Sequence, residues 1–164
     1  MKIILLGHAR HGKDTVAEFI KNSIGLEFKS SSSLAAEIFL YDALKTKYGY
    51  KSYEECFNDR SNHRAEWHNL IAEYNSEDPA RLAKQIFETN DIYVGMRSAI
   101  ELAKCREDDI VDLIIGVYNP RMPAESVDSF NIDLWKECDF VIPNAGTLDD
   151  LLEKVYTICA LINI

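Results

Sequence analysis

The stretch Gly7-His8-Ala9-Arg10-His11-Gly12-Lys13-Asp14-Thr15 lies between a short apolar run, Lys2 to Leu6, and a segment of helical spacing that begins at Val16. A strand, a glycine-bounded loop and a helix in this order are typical of a phosphate-binding loop. The two glycines let successive backbone N–H groups point inward, and the start of the helix adds the positive end of its dipole. Lys13 can then reach the β- and γ-phosphates of a nucleotide. The sequence therefore predicts a phosphate site here, rather than a glycine turn followed by an exposed lysine.

One position of this loop departs from the usual pattern. Asp14 stands where Ser or Thr normally ligates magnesium, and Thr15 carries the nearest hydroxyl. We therefore expect the metal to be held by Thr15 and, through water, by Asp14. The residues of the stretch that we expect to bind the nucleotide cofactor are Gly7, Arg10, His11, Gly12, Lys13, Asp14 and Thr15.

Length and composition bound the class of protein. The chain has 164 residues, which predicts one domain spanning residues 1–164, and 47% of them are hydrophobic. Its 18 basic and 27 acidic residues give a net charge of −9, which argues against a surface built for nucleic acid but leaves room for a small basic pocket. We expect no membrane span and no signal peptide. The four cysteines lie far apart, and no residues have the spacing of zinc ligands. This pattern predicts a cytoplasmic protein without zinc. If a phage encodes the protein, the compartment is the host cytoplasm.

Strand and helix patterns alternate along the chain, and this predicts an α/β fold. We expect three layers, with a five-stranded parallel sheet between helices. A helical region at about 34–90 is expected to bind the acceptor, and a short lid is expected at about 119–131. The predicted strands are Lys2–Leu6, Leu26–Lys29, Ile92–Met96, Val111–Tyr118 and Phe140–Ile142. The predicted helices are Lys13–Ser23, Leu34–Tyr48 with Ser33 as its N-cap, a short one after Ser52, Ser61–Tyr74, one opened by Asp78-Pro79, Ser98–Arg106, Ile132–Cys138 and one capped by Thr147. Capping boxes are predicted at Ser52-x-x-Glu55 and at Ser98-x-x-Glu101.

Ligands of parallel α/β sheets bind at the carboxyl ends of the strands. The segments there are the Gly7 loop, Ser30–Ser33, Arg97, Asn119–Arg121 and Asn144–Gly146. Because phosphoryl transfer depends on positioning and positive charge, Lys13, Arg97 and Arg121 are the candidate catalytic residues. A surface salt bridge for Arg97 and a solvated loop position for Arg121 are the alternatives.

A polar cluster in the middle of the chain is the candidate acceptor site. Arg64 and His68 are four residues apart and share a helix face. The expected substrate-binding residues are Ser31, Arg60, Arg64, His68 and Arg97. A solvated helix face is the alternative for this cluster. The nearby Tyr41, Tyr48, Tyr50 and Tyr53 fit either base stacking or packing.

Three segments resemble a known family. The GxxxxGKDT form of the loop resembles that of phage deoxynucleoside monophosphate kinases, within the nucleoside monophosphate kinases. Asp139-Phe-Val-Ile-Pro-Asn144-Ala-Gly146-Thr-Leu148 resembles the closing segment of those kinases and of dephospho-coenzyme A kinases. Arg97-Ser-Ala-Ile-Glu101 is similar to their R-x-x-x-E. The resemblance spans residues 7–148, and the helical middle matches only loosely.

The resemblance implies ATP and magnesium as cofactors and transfer of the γ-phosphate to a small acceptor. By position, Gly12, Lys13 and Thr15 would grip the phosphates, and Asn144 and Gly146 would face the adenine. Arg97 would touch the acceptor or the transferring phosphate, and Arg121 would be the lid arginine. The chain departs from the family at Gly95, where an acidic residue is usual. Metal would then be held through water, with Asp14 or Asp91 nearby.

Three functional hypotheses follow. The first is an ATP-dependent kinase acting on a (deoxy)nucleoside monophosphate, with a small-molecule nucleotide as partner. The second is a P-loop kinase that phosphorylates a hydroxymethylated pyrimidine in phage DNA, with Arg60, Arg64 and Lys51 forming a basic entrance. The third, based on Gly95, is a nucleotide-binding protein with weak catalysis. The sequence leaves the oligomeric state open, a homodimer included.

Overall fold

The computed structural model describes residues 1–162. Five strands form one parallel sheet in the order β2-β3-β1-β4-β5. The predicted five-stranded parallel sheet is confirmed. The strands are β1 (Ile3–Leu6), β2 (Phe28–Ser30), β3 (Ile92–Val94), β4 (Leu113–Tyr118) and β5 (Phe140–Pro143).

Nine α-helices are present within the described residues. They are α1 (Lys13–Ile24), α2 (Ser31–Ala35), α3 (Tyr41–Tyr48), α4 (Tyr53–Asp59), α5 (Arg64–Tyr74), α6 (Arg81–Thr89), α7 (Ala99–Glu107), α8 (Leu134–Glu137) and α9 (Leu148–Leu161). A π-helical turn (Ala36–Leu40) joins α2 to α3, and a 3-10 turn (Arg60–Asn62) precedes α5.

Alternate residues of β1 divide the core into two layers, because successive side chains of a strand point to opposite faces. Ile3 and Leu5 pack with α1 and α9, whereas Ile4 and Leu6 pack with α6, α7 and α8. The sheet therefore lies between two helical layers, as predicted. A third cluster joins the π-helical turn with α3, α4 and α5 around Leu40, Leu44 and Trp67.

Several predicted helix starts are wrong, and local hydrogen bonds explain each case. The first helix after β2 begins at Ser31 rather than Leu34, because Ser30 is its cap and its Oγ accepts from the Ser33 N–H at 3.1 Å. α6 begins at Arg81, since the Asp78 carboxylate accepts from the Ala80 N–H at 3.0 Å and forms a turn. The 3-10 turn delays the start of α5 to Arg64.

The predicted capping boxes differ in outcome. Ser52 caps α4, but the Glu55 carboxylate accepts from Lys51 N–H instead of from Ser52. The box at Ser98 is wrong, because Ser98 makes no side-chain cap and Glu101 turns into the interior. Thr147 caps α9 as predicted, in a reciprocal capping box.

Hydropathy along the helices gives a separate result. Within residues 1–162, no helix combines the length and the apolar character needed to cross a membrane. All four cysteines are free, and three of them are buried.

Candidate functional site

The Gly7 loop (residues 7–13) turns from β1 into α1 and requires both of its glycines. Gly7 has φ +153°, and a Cβ there would lie 2.6 Å from the carbonyl oxygen of Val117. Gly12 has φ +99°, and a Cβ there would overlap the side-chain amide of Asn144. These positions exclude larger residues for steric reasons, so the loop passes close to the ends of β4 and β5.

Lys13 lies across this loop with only 8% of its surface exposed. Its Nζ donates to the carbonyl oxygen of His8 at 3.3 Å. Burial lowers the pKa of Lys13, and the charge of Asp14 opposes that effect. The first turn of α1 therefore holds a partly desolvated ammonium group beside the loop, where its interaction with an anion is strong.

Other predicted cofactor residues fasten the loop to the sheet. His11 is fully buried, and its Nδ1 accepts from the Asn119 N–H at 3.1 Å. The Asn144 side-chain amide donates to the carbonyl oxygen of His11 at 3.1 Å. The Nδ1 of His11 and the side-chain amide of Asn144 are thus engaged within the protein, whereas the buried Nε2 of His11 has no hydrogen-bond partner among the described residues. Gly146 lies at the surface before α9, where the Asp150 carboxylate leaves no room for a Cβ.

A cavity of about 1000 Å³ opens at the carboxyl ends of the strands, and we call it the transfer cavity after the phosphoryl transfer that the sequence predicts. The Gly7 loop and α5 contribute to its wall, together with the segment after β3. The predicted site residues that line it are Arg10, Lys13, Asp14, Ser31, Arg60, Arg64, His68 and Arg97. Donor-side and acceptor-side candidates from distant parts of the sequence therefore meet in one space.

Of the fifteen predicted site residues, seven do not line the transfer cavity, and Arg121 and Thr15 are two of them. Arg121 is exposed, and its backbone N–H donates to the Asn119 side chain at 2.9 Å within a turn. Thr15 is partly buried in the first turn of α1, whereas its neighbour Asp14 is exposed to the cavity. Arg97 is thus better placed than Arg121 to reach a ligand in this cavity.

The two arginines predicted to bind the acceptor, Arg60 and Arg64, are held in different ways. The Arg60 guanidinium lies 3.8 Å from the ring centroid of Phe57 and donates to the Phe57 carbonyl oxygen at 2.8 Å. Burial lowers the pKa of Arg60, while Asp14 opposes that effect. Arg64 is more exposed, with 57% of its side chain accessible. Arg60 is therefore preorganised, and Arg64 is free to adjust to a ligand.

The loop of residues 119–131, which we call the lid loop after its predicted role, contributes Glu125, which was not predicted from the sequence. One of its carboxylate oxygens accepts from the Ala9 N–H at 2.7 Å, and the other accepts from Arg97 at 2.7 Å. The Glu125 N–H donates to His8 Nδ1 at 3.0 Å. Burial raises the pKa of Glu125, but the hydrogen bond and charge of Arg97 outweigh burial and hold the pKa below its usual range. An ionised carboxylate thus lies at the phosphate-binding loop.

A polar part of the wall of the transfer cavity includes Asn75 and Glu101. Asn75 donates to the Glu101 carboxyl at 2.7 Å, and its own oxygen accepts from the Leu82 N–H at 3.2 Å. Burial raises the pKa of Glu101 to about 7, although the Asn75 hydrogen bond opposes it. Ser31 lies on the side of Lys13 instead, because a Cβ at Gly95 would be 3.4 Å from Ser31 Oγ and 3.7 Å from Lys13 Cε; its hydroxyl donates to the Gly95 carbonyl oxygen at 3.3 Å. Asn75 and Glu101 both line the cavity, so this part of its wall offers hydrogen bonds with only a partial negative charge at neutral pH.

Residues that could hold a metal are few. Within residues 1–162, no group of three or more His, Cys, Asp or Glu side chains forms a metal site. Gly95 has φ +94°, a backbone conformation that a carboxylate residue rarely adopts. The suggestion that Asp91 lies near the metal is wrong. Asp91 lies at the amino-terminal end of β3, whereas the Gly7 loop lies at the carboxyl ends of the strands. There its carboxylate accepts from the Glu27 N–H. Asp14 and Thr15 remain as oxygen donors near the loop.

Aromatic side chains occupy two separate places. Tyr48 and Tyr50 donate to Glu66 and Asp59 within the helical cluster and do not line the transfer cavity, so their role is packing rather than base stacking. On the other side, the Tyr118 ring lies edge-on to both His11 and Trp135. The second tryptophan, Trp67, is buried on α5 and lines the cavity.

Comparison with solved structures identifies the fold. Similar structures include a dephospho-CoA kinase from Campylobacter jejuni, with a TM-score of 0.55 and 16% identity over 98% of this chain and 96% of that chain. A shikimate kinase from Bacteroides thetaiotaomicron has a TM-score of 0.55 and 10% identity over 100% and 99%. A gluconokinase from Sinorhizobium meliloti has a TM-score of 0.55 and 14% identity over 99% and 95%. The fold is that of the P-loop kinases.

The likeness is structural rather than sequential. No protein-family model matches the chain, and no curated protein matches it. At identities of 10–16%, the similarity shows the fold and does not specify an acceptor. The acceptor must be inferred from the residues of the transfer cavity.

Proposed function

We propose that the protein is an ATP-dependent kinase that transfers the γ-phosphate to a (deoxy)nucleoside monophosphate. The observation that carries this proposal is the meeting of Lys13, on the donor side, with Arg60, Arg64 and Arg97 in one cavity. Three guanidinium groups beyond the phosphate-binding loop are suited to an acceptor that itself carries a phosphate. A guanidinium group can donate to two phosphate oxygens at once. The cavity volume of about 1000 Å³ is at the upper end for small-ligand sites, which suits two ligands that meet.

The donor side of the cavity fits the phosphates of ATP. The Ala9 N–H already binds a carboxylate oxygen, which supports an anion at the same place. Lys13 would neutralise the β- and γ-phosphates, and Arg97 would stabilise the charge that spreads over the transferring oxygens. Magnesium would supply further neutralisation between these phosphates. Asp14 and Thr15 are the residues that would hold it, Asp14 through water.

The acceptor side supports a base as well as a phosphate. With the acceptor phosphate between Arg60 and Arg64, the rest of the molecule extends toward Asn75 and Glu101. A protonated or shared-proton carboxyl beside an amide can both donate and accept hydrogen bonds, as the edge of a nucleobase requires.

Turnover measurements test the proposal. ADP release would be followed with ATP, magnesium and each ribo- and deoxynucleoside monophosphate. At least one acceptor is expected to raise ADP release well above the rate with ATP alone. Lys13→Ala is expected to reduce that rate by about 100-fold or more, because it removes a preorganised positive charge. Lys136→Ala, at a lysine with a side chain 78% exposed, is the matched control and should leave the rate unchanged. Failure of every monophosphate to raise ADP release would contradict the proposal.

A weakly catalytic nucleotide-binding protein is the second candidate. It is favoured by the left-handed backbone at Gly95, which leaves the end of β3 without a carboxylate for the metal. Binding of ATP to the wild-type protein, without turnover of any acceptor, would support this candidate. Hydroxymethylated DNA should be included as an acceptor in the same screen. The net charge of −9 argues against DNA as the acceptor, and the screen tests that argument directly.

A further inference from the structure

The carboxylate of Glu125 occupies the centre of the proposed transfer site. It contacts the Ala9 N–H of the Gly7 loop with one oxygen and Arg97 with the other, both at 2.7 Å. Arg64 of the acceptor side also lies 3.7 Å from it. The side chain of Glu125 is only 15% exposed, so these contacts are made away from bulk water. A single anion therefore joins a donor-side amide to two acceptor-side arginines.

This position is one that a phosphate oxygen would take. The Ala9 N–H belongs to the loop that cradles phosphates, and Arg97 is the arginine proposed to stabilise the transferring group. An anion that both of them contact lies between donor and acceptor, which is the place of the terminal phosphate of ATP. One N–H cannot serve two acceptors well, and two anions this close repel each other. The carboxylate and the terminal phosphate consequently exclude each other.

The lid loop is fastened so that Glu125 stays in this place. Its backbone N–H donates to His8 Nδ1 at 3.0 Å, and the Asn131 N–H donates to the Arg97 carbonyl oxygen at 3.2 Å. Arg97 also donates to the Ser129 carbonyl oxygen at 3.4 Å. The lid thus lies against both the Gly7 loop and the segment after β3.

We infer that Glu125 is an internal competitor for the terminal phosphate of ATP, so that the lid loop must release the Gly7 loop before ATP binds fully. The inference rests on the proposed function, in that it assumes that the terminal phosphate enters this loop. ADP lacks that phosphate and leaves room for Glu125. The competition therefore acts on ATP and not on ADP, and the lid can return to its place once the phosphoryl group has left.

Equilibrium binding with matched variants tests the inference. Glu125→Gln keeps the shape of the side chain and removes its charge. Asp128→Asn removes the same charge from an exposed residue of the same loop that also lines the cavity. Glu125→Gln is expected to tighten ATP binding about tenfold, since two charge-assisted hydrogen bonds no longer compete, and to change ADP binding by roughly twofold or less. Because Glu125 rather than Asp128 contacts the Ala9 N–H and Arg97, Asp128→Asn should change the ATP and ADP affinities by the same factor.

A second measurement needs no nucleotide. In the ligand-free wild-type protein, the Ala9 amide should exchange slowly with solvent and resonate downfield in NMR spectra. Glu125→Ala should remove both properties while the amides of the sheet stay protected, which also verifies that the variant is folded. Asp128→Asn should leave the Ala9 amide unchanged.

The outcomes separate two kinds of failure. Weaker ATP binding in Glu125→Gln, or equal effects of Glu125→Gln and Asp128→Asn, would overturn the competition while leaving the kinase proposal standing. An unprotected Ala9 amide in the wild-type protein would overturn it as well. Absence of nucleotide binding in all three proteins would overturn the proposed function and the inference together.

Discussion

Replacement of Glu101 by Gln should stabilise the protein at neutral and alkaline pH. Burial raises the pKa of this carboxyl from 4.5 to about 7. The folded protein therefore binds the proton more tightly than the unfolded chain does. This contribution to stability is complete below pH 4.5 and is lost as the pH rises through 7. At 1.36 kcal/mol per pH unit, the interval corresponds to about 3 kcal/mol.

Glutamine cannot ionise, and its amide can still accept from Asn75. The free energies of unfolding of Glu101→Gln and the wild type should thus be similar near pH 4.5. At pH 8 the variant should be more stable by about 3 kcal/mol. Urea denaturation of both proteins at several pH values measures this difference, in which the titration of all other groups cancels. Glu107→Gln is the control, because that side chain lies on the same helix and is 73% exposed. A difference that did not change with pH, or a variant less stable at pH 8, would refute the reasoning.

Three further predictions concern backbone positions and a helix cap. Gly12→Ala should abolish ATP binding, measured by calorimetry, because its Cβ would displace the Asn144 amide and strain a left-handed backbone. Gly116→Ala should lower the free energy of unfolding by about 1–3 kcal/mol, because its Cβ would lie 2.9 Å from the Sγ of Cys138. The double variant with Cys138→Ala should recover most of this loss, as measured by urea denaturation. Thr147→Ala should lower the stability by about 1 kcal/mol with no change in nucleotide affinity, and a larger effect on affinity would show that the cap orients the loop before α9.

The sheet could be predicted from the sequence because its signals are local. β1 and β4 are continuous apolar runs, as strands buried on both faces require. The helix starts were harder to predict, since several polar residues compete to cap the same turn. Ser30 and Ser33 are both good caps, and only the position of β2 decides that Ser30 is used. The π-helical turn at Ala36–Leu40 has no pattern that distinguishes it from an α-helix.

The candidate site could be predicted where the residue follows a strand or a glycine loop. Lys13 and Arg97 belong to such positions, and both line the transfer cavity. Glu125 was missed because it lies in an irregular loop, 116 residues from its partner Ala9. Glu101 was assigned to a capping box because a sequence cannot show that Asn75, 26 residues earlier, turns it inward. Contacts of this kind depend on tertiary structure alone.

The two tryptophans give the protein a pair of natural optical reporters. Trp135 is 68% exposed and touches Tyr118, which in turn touches His11 of the Gly7 loop. Trp67 is 4% exposed on α5, in the wall of the transfer cavity. Iodide quenches only the tryptophans that it can reach from solvent, so it should quench the emission of Trp135 before that of Trp67. Changes at the Gly7 loop and changes around Trp67 would then alter the emission of different tryptophans, so stopped-flow fluorescence could follow both without an added label.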